Sequence, residues 1–149
     1  LYRDARIMNI YEGTSQLPVV AAINGITKRT FMEQMARYAE AEYCDAVKPA
    51  VEKLAALTER VKAMVERVET INRDFPAYKD FHARRLVESV GYIVMTYLLA
   101  RQSGEAAEYV SDTRLMLKMT EAYIAAAETY IANSEGSDVA LINEVGEQY

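Results

Sequence analysis

An all-α fold is what this sequence predicts, and three observations carry the prediction. Glycine and proline are scarce, at 6 and 3 of 149 residues, which leaves little material for hairpins. Ala, Glu, Met and Leu are plentiful, and all favour helix. Apolar residues recur three and four apart over long stretches, the period of a helix face and not of a strand. A chain of 149 residues is long enough to enclose one domain core.

The elements follow in chain order. The first is a short amphipathic helix through Leu17, Val20, Ala21, Ile23 and Asn24. Pro18 suits its first turn, where a missing N–H costs nothing, Thr14 or Ser15 caps it, and Gly25 is its expected stop. Gly25 to Thr30 reads as a connection, with Thr30 and Glu33 at capping-box spacing. A helix is then expected from about Phe31 to Asp45, broken near Val47–Lys48. The break comes from Pro49, which lacks an N–H and clashes one turn back. From Pro49 to Asn72 the seam Leu54, Leu57, Val61, Met64, Val68 and Ile71 faces one partner. Asp74-Phe75-Pro76 is a turn.

Two more long helices follow. Tyr78 to Gln102 carries Leu86, Val90, Ile93 and Tyr97 on one stripe and ends at Ser103-Gly104. About Ala106 to Asn133 places Met116, Met119, Tyr123, Ala126 and Tyr130 on its expected seam, widened by Leu115, Leu117, Ile124 and Ile131. Ser134 to Ser137 is a polar break, and a tail with Val139, Leu141, Ile142 and Val145 follows. Short turns between long helices require antiparallel neighbours, so the architecture is an antiparallel up-down helical bundle.

Charge and composition exclude several functions. The net charge of −5 argues against nucleic-acid binding, which depends on neutralising phosphates. The longest apolar run, Gly91 to Ala100, is about half of what a membrane-spanning helix needs, so a membrane role is not expected. Cys44 is the only cysteine, which fits a reducing, cytoplasmic setting. The chain opens at Leu1 without Met, and we read that start as a boundary within a longer protein.

The chemistry-bearing residues cluster at the amino terminus. Tyr2-Arg3-Asp4-Ala5-Arg6-Ile7 is followed by Ile10-Tyr11-Glu12-Gly13-Thr14-Ser15-Gln16. A carboxylate at Glu12 precedes Gly13, which allows close approach of a ligand. Thr14, Ser15 and Gln16 then offer hydrogen-bonding groups at a helix start, where free N–H groups favour anions. The same stretch also reads as an ordinary loop and helix cap.

This run resembles the signature of the acyl-CoA dehydrogenase family, in which the glutamate of a YEGTSQ run is the catalytic base. The resemblance covers roughly the first 26 residues. It implies that Glu12 removes the α-proton of an acyl-CoA thioester while the β-hydrogen leaves as hydride to FAD. It implies further that Gly13 lies against the thioester and that Thr14, Ser15 and Gln16 contact FAD. Leu17-Pro18-Val19 departs from the Ile-Gln-Arg of many relatives, so any cofactor or subunit contact made by that Gln and Arg is not carried over. The implied partners of the parent enzyme are an acyl-CoA substrate, an electron-transfer flavoprotein and further copies of itself. Residues 1–28 would then be the end of the dehydrogenase carboxy-terminal core domain, and 29–149 an additional helical bundle like that of longer family members. A single helix and loop do not enclose FAD, so the isolated chain is expected to bind no flavin and to be inactive.

No catalytic constellation follows Gln16. His82 has no second ligand one turn away, is expected at the surface or as a cap, and no metal site is expected. Glu40, Glu42 and Asp45 read as a solvated face, Arg84-Arg85 as a solvated or ion-paired face, and the tyrosines and methionines as core filling. The alternative reading, from a different class, is a non-catalytic helical interaction or oligomerisation module.

Overall fold

The computed structural model describes residues 16–28 and 30–146. Six helices make up the described chain: α1 Gln16–Thr27, α2 Thr30–Ala39, α3 Lys48–Asn72, α4 Tyr78–Gln102, α5 Glu108–Asn133 and α6 Ser137–Gly146. No strand occurs among the described residues, as the sequence predicts.

Side-chain pairs between the long helices define their directions. From α4 to α5, Tyr78 pairs with Ser134, Thr96 with Thr120 and Ser103 with Thr113. Numbers rise on one helix as they fall on the other, so the two are antiparallel. From α3 to α5, Lys53 meets Glu121, Arg60 meets Glu128 and Arg67 reaches the Ile131 carbonyl. Here both numbers rise together, so α3 and α5 run parallel. The three long helices therefore go up, down and up, with α1 packed chiefly on α4 and α2 on α3.

The core follows from the seam of α3. Leu54, Leu57, Val61, Met64 and Val68 are buried, with Val51 and Val65 beside them. Each such side chain contributes about 1.5–3 kcal/mol by leaving water. Pro49 sits in the first turn of α3, where it interrupts no hydrogen bond. Leu86, Ile93 and Tyr97 of α4 join the same core, together with Val19, Ile23 and Ile26 of α1 and Met35 of α2.

Four expectations are corrected. Helix α1 runs through Gly25 to Thr27, because Ile26 is held in the core and Lys28 N–H still donates to the Asn24 carbonyl. Thr30 forms no capping box: its hydroxyl points back to the Gly25 carbonyl at 2.9 Å. Helix α2 ends at Ala39, well before Asp45, where the Tyr38 carbonyl of the last turn accepts from the Tyr43 hydroxyl at 2.7 Å and from the Ala41 N–H at 3.3 Å.

The fourth correction is the face of α5. Its buried stripe is Thr113, Leu117, Thr120, Ile124, Ala127 and Ile131. Leu115, Met119 and Tyr130, assigned to the inside by apolar spacing, are 60%, 49% and 58% exposed. The hydroxyls make the difference. Thr120 donates to the Met116 carbonyl or Thr96, and Ser103 pairs with Thr113, so these polar groups enter the core already bonded.

The corner after α5 docks against the turn between α3 and α4. A side-chain carbon at Gly136 would run into the Phe75 ring, so only glycine allows this approach. Val139 of α6 is buried, while Leu141 faces out.

Candidate functional site

Glu12, Gly13, Thr14 and Ser15 lie outside the described residues. Gln16 is the first residue of α1, and its side chain is likewise outside the described positions. Helix α1 opens at Gln16, the last residue of the signature. Val19, Ile23 and Ile26 fasten this helix to the bundle core.

The polar chemistry inside the bundle centres on His82, which is 0% exposed and not at the surface as the sequence suggests. Its Nε2 lies 2.8 Å from Ser134 Oγ, and the Tyr78 hydroxyl lies 2.7 Å from the same oxygen. Burial, aided by the Arg85 guanidinium, lowers His82 to about 4, with Asp138 opposing and Arg67 adding to the fall. A serine beside a histidine resembles a nucleophile and its base. The surroundings argue otherwise. His82 Nδ1 has no partner to orient the ring, and the Asp138 carboxylate instead accepts the Glu135 N–H at 2.8 Å. Ser134 Oγ is shared with Tyr78 and lies 3.2 Å from the Ile131 carbonyl. The cluster closes the carboxy-terminal end of α5.

A second polar cluster lies between α4 and α5. The Tyr123 hydroxyl donates to Glu88, whose other oxygen accepts from Arg84 Nε at 2.7 Å. Burial acts to raise Glu88, but the hydrogen bonds from Tyr123 and Arg84 outweigh it and hold the carboxyl below its usual range. Burial and the Glu88 contact push Tyr123 upward, so its proton stays in place as the donor. Arg85 lies over the Tyr130 ring at 4.0 Å and donates to the Phe81 carbonyl. Arg84-Arg85 is therefore an ion-paired and ring-stacked face.

The remaining polar candidates stay outside any site. Glu40, Glu42 and Asp45 are exposed, and Asp45 pairs with Lys48 at 2.6 Å. Cys44 is half-buried, with Sγ 3.6 Å from the Ser103 carbonyl. Among the described residues no group of three His, Cys, Asp or Glu side chains could hold a metal ion. None of their helices is long and apolar enough to cross a membrane. The residues that sequence reasoning missed are Ser134, Thr96, Thr113 and Thr120. Threonines at the 4-3-4 spacing with Leu117 and Ile124 were the available signal.

These features define an all-helical bundle domain. The family model described as acyl-CoA dehydrogenase C terminal matches residues 27–139, most of the bundle. The crystal structure of an acyl-CoA dehydrogenase family protein from Porphyromonas gingivalis is similar, with a TM-score of 0.69 and 26% identity. The match covers 77% of this chain and 98% of that one. No curated protein matches this sequence. The chain belongs to the acyl-CoA dehydrogenase C-terminal family.

Proposed function

We propose that this chain is the carboxy-terminal part of a flavin-dependent acyl-CoA dehydrogenase. The observation that carries the reading is the run Tyr11-Glu12-Gly13-Thr14-Ser15-Gln16, leading directly into α1 of a chain whose following 27–139 belong to that family. In this reading Glu12 takes the α-proton of an acyl-CoA thioester, and Gly13 admits the thioester to the backbone. The donor set suits FAD by residue type: Thr14, Ser15 and Gln16 supply two hydroxyls and an amide, directly before or at the first residue of α1 in the sequence. Bound there, the flavin supplies the acceptor for the β-hydride, and the protein supplies position and electrostatics.

Residues 1–28 close the catalytic core in this reading, and 29–149 form an added domain that packs on the core or on a neighbouring subunit. The parent enzyme is a cytoplasmic homo-oligomer that passes electrons to an electron-transfer flavoprotein, while the isolated 149-residue chain is colourless and inactive. The test is to purify both the protein encoded with its upstream sequence and the 149-residue chain. The longer protein is expected to carry flavin that acyl-CoA bleaches. Upstream sequence encoding no flavin domain, or stoichiometric flavin on the short chain, would overturn the reading.

A further inference from the structure

Helices α4 and α5 turn an apolar surface away from the core. Met95 precedes Thr96 and Met119 precedes Thr120, and those two threonine hydroxyls meet at 2.8 Å. In antiparallel helices the residue before each contact position falls on the same side, so both methionines lie on one outward face. Leu98 and Leu115 flank them, and all four side chains are exposed. A single exposed apolar residue is ordinary, whereas several on one face mark a surface that another molecule covers. Methionine suits such a surface, because its unbranched side chain adapts to what it meets.

The two ends of this face offer opposite charges. At one end Arg84, 65% exposed, bonds Glu88 through Nε, and its terminal NH groups have no partner among the described residues. At the other end Glu108 and Asp112 are exposed, and neither has a partner among the described residues. The basic residues near them, Arg101, Arg114 and Lys118, fall on other sides of their helices by the helical period.

Spacing matches the two ends. Arg84 precedes Met95 by the same number of residues as Glu108 precedes Met119, three helical turns or about 16 Å. A twofold axis between the methionines, perpendicular to both helices, therefore lays α4 of one protomer on α5 of its partner. Met95 then meets the partner's Met119, and Arg84 meets the partner's Glu108. The partner's Asp112 falls one to two turns nearer the axis, opposite Glu88, whose charge Arg84 and Tyr123 already take up. Two helices about 10 Å apart make a face about 20 Å wide and about 36 Å long. That is about 700 Å², close to the roughly 800 Å² each partner gives to a stable complex.

We propose that two copies of this chain associate through the α4–α5 face, as a twofold dimer in which Arg84 of each protomer bonds the partner's Glu108. The interface uses none of Glu12 to Gln16, so it is tested separately from the catalytic reading of the parent enzyme.

Sedimentation velocity of the full 149-residue chain, across a concentration series, is expected to show a dimer of twice 16.8 kDa. Met119→Lys, at an exposed position, is expected to weaken the dimer at least roughly a hundredfold while circular dichroism stays unchanged. Arg84→Glu and Glu108→Arg each set like charges against one another and are expected to weaken it at least roughly tenfold. Mixing those two variants restores opposite charges at both ends, so they are expected to form a heterodimer as tight as the unsubstituted dimer. A chain still monomeric at about 100 μM, a dimer indifferent to Met119→Lys, or charge variants that do not associate on mixing would each overturn the proposal. So would a monomer whose Met95 and Met119 become covered only in the longer protein, which gives the face to upstream residues.

Discussion

Helices α3 and α5 run parallel and pack against each other, with 25 and 26 residues, yet they bury different chemistry. The stripe of α3 is almost all hydrocarbon, from Val51 to Val68, with Thr58 its one hydroxyl. That of α5 places Thr113 and Thr120 inside and leaves Leu115, Met119 and Tyr130 outside. Packing holds the first; packing and hydroxyl bonding hold the second. A threonine that bonds the carbonyl one turn back presents only its methyl to the core, so burying it costs little. The position of a polar atom therefore depends on whether its bond can be made locally.

The largest effect should come from the hydrocarbon side. Leu54→Ala, at a fully buried position, is expected to lower unfolding free energy by about 2–5 kcal/mol in urea melts. Thr120→Val is expected to cost less than about 1.5 kcal/mol, because Thr96 keeps its bond to the Tyr92 carbonyl at 2.8 Å. Equal losses at the two positions would erase the distinction between the helices.

Acidification tests the polar end of α5 next. His82 titrates at 6.5 in an ordinary setting and at about 4 in the fold, so between those values the unfolded chain binds the extra proton. The stabilisation is complete above about pH 6.5 and is lost as pH falls through about 4, for a total of about 3 kcal/mol at most. His82→Gln should remove that part of the pH profile. A wild-type profile flat over the window would contradict the burial of the imidazole.

Smaller effects are expected at two glycines. Gly136→Ala must displace the Phe75 ring and should cost about 1–3 kcal/mol, read as a lower melting temperature. Gly91→Ala meets no atom within 4 Å and should stabilise α4 by about 0.5–1 kcal/mol. A destabilising Gly91→Ala would show that this face of α4 approaches something in solution.

Much of the fold could be read from local rules. Pro49 marks the start of α3, Asp74-Phe75-Pro76 the next turn, and both helices up to Gln102 follow the apolar period. These signals act within a few residues. The end of α2 at Ala39 and the inner face of α5 were not legible, because they depend on bonds and burial. Tyr43 closes α2, Val47 is wholly buried just before α3, and Ser103 and Thr113 meet only when α4 and α5 are antiparallel. His82 was misplaced for the same reason, since its partner Ser134 is 52 residues away. The roles of Glu12 to Gln16 rest on the family resemblance, and Glu12 to Ser15 lie outside the described residues.

In the proposed reading Glu12 is the catalytic carboxylate of the parent enzyme and the bundle carboxylates take no part. The direct measurement is anaerobic bleaching of the flavin by acyl-CoA in the longer protein, comparing Glu12→Gln with Glu88→Gln. Glu12→Gln is expected to slow bleaching by about 10²–10⁴-fold, the contribution of a positioned general base, with Glu88→Gln unchanged. Bleaching by Glu12→Gln at the unsubstituted rate would contradict it.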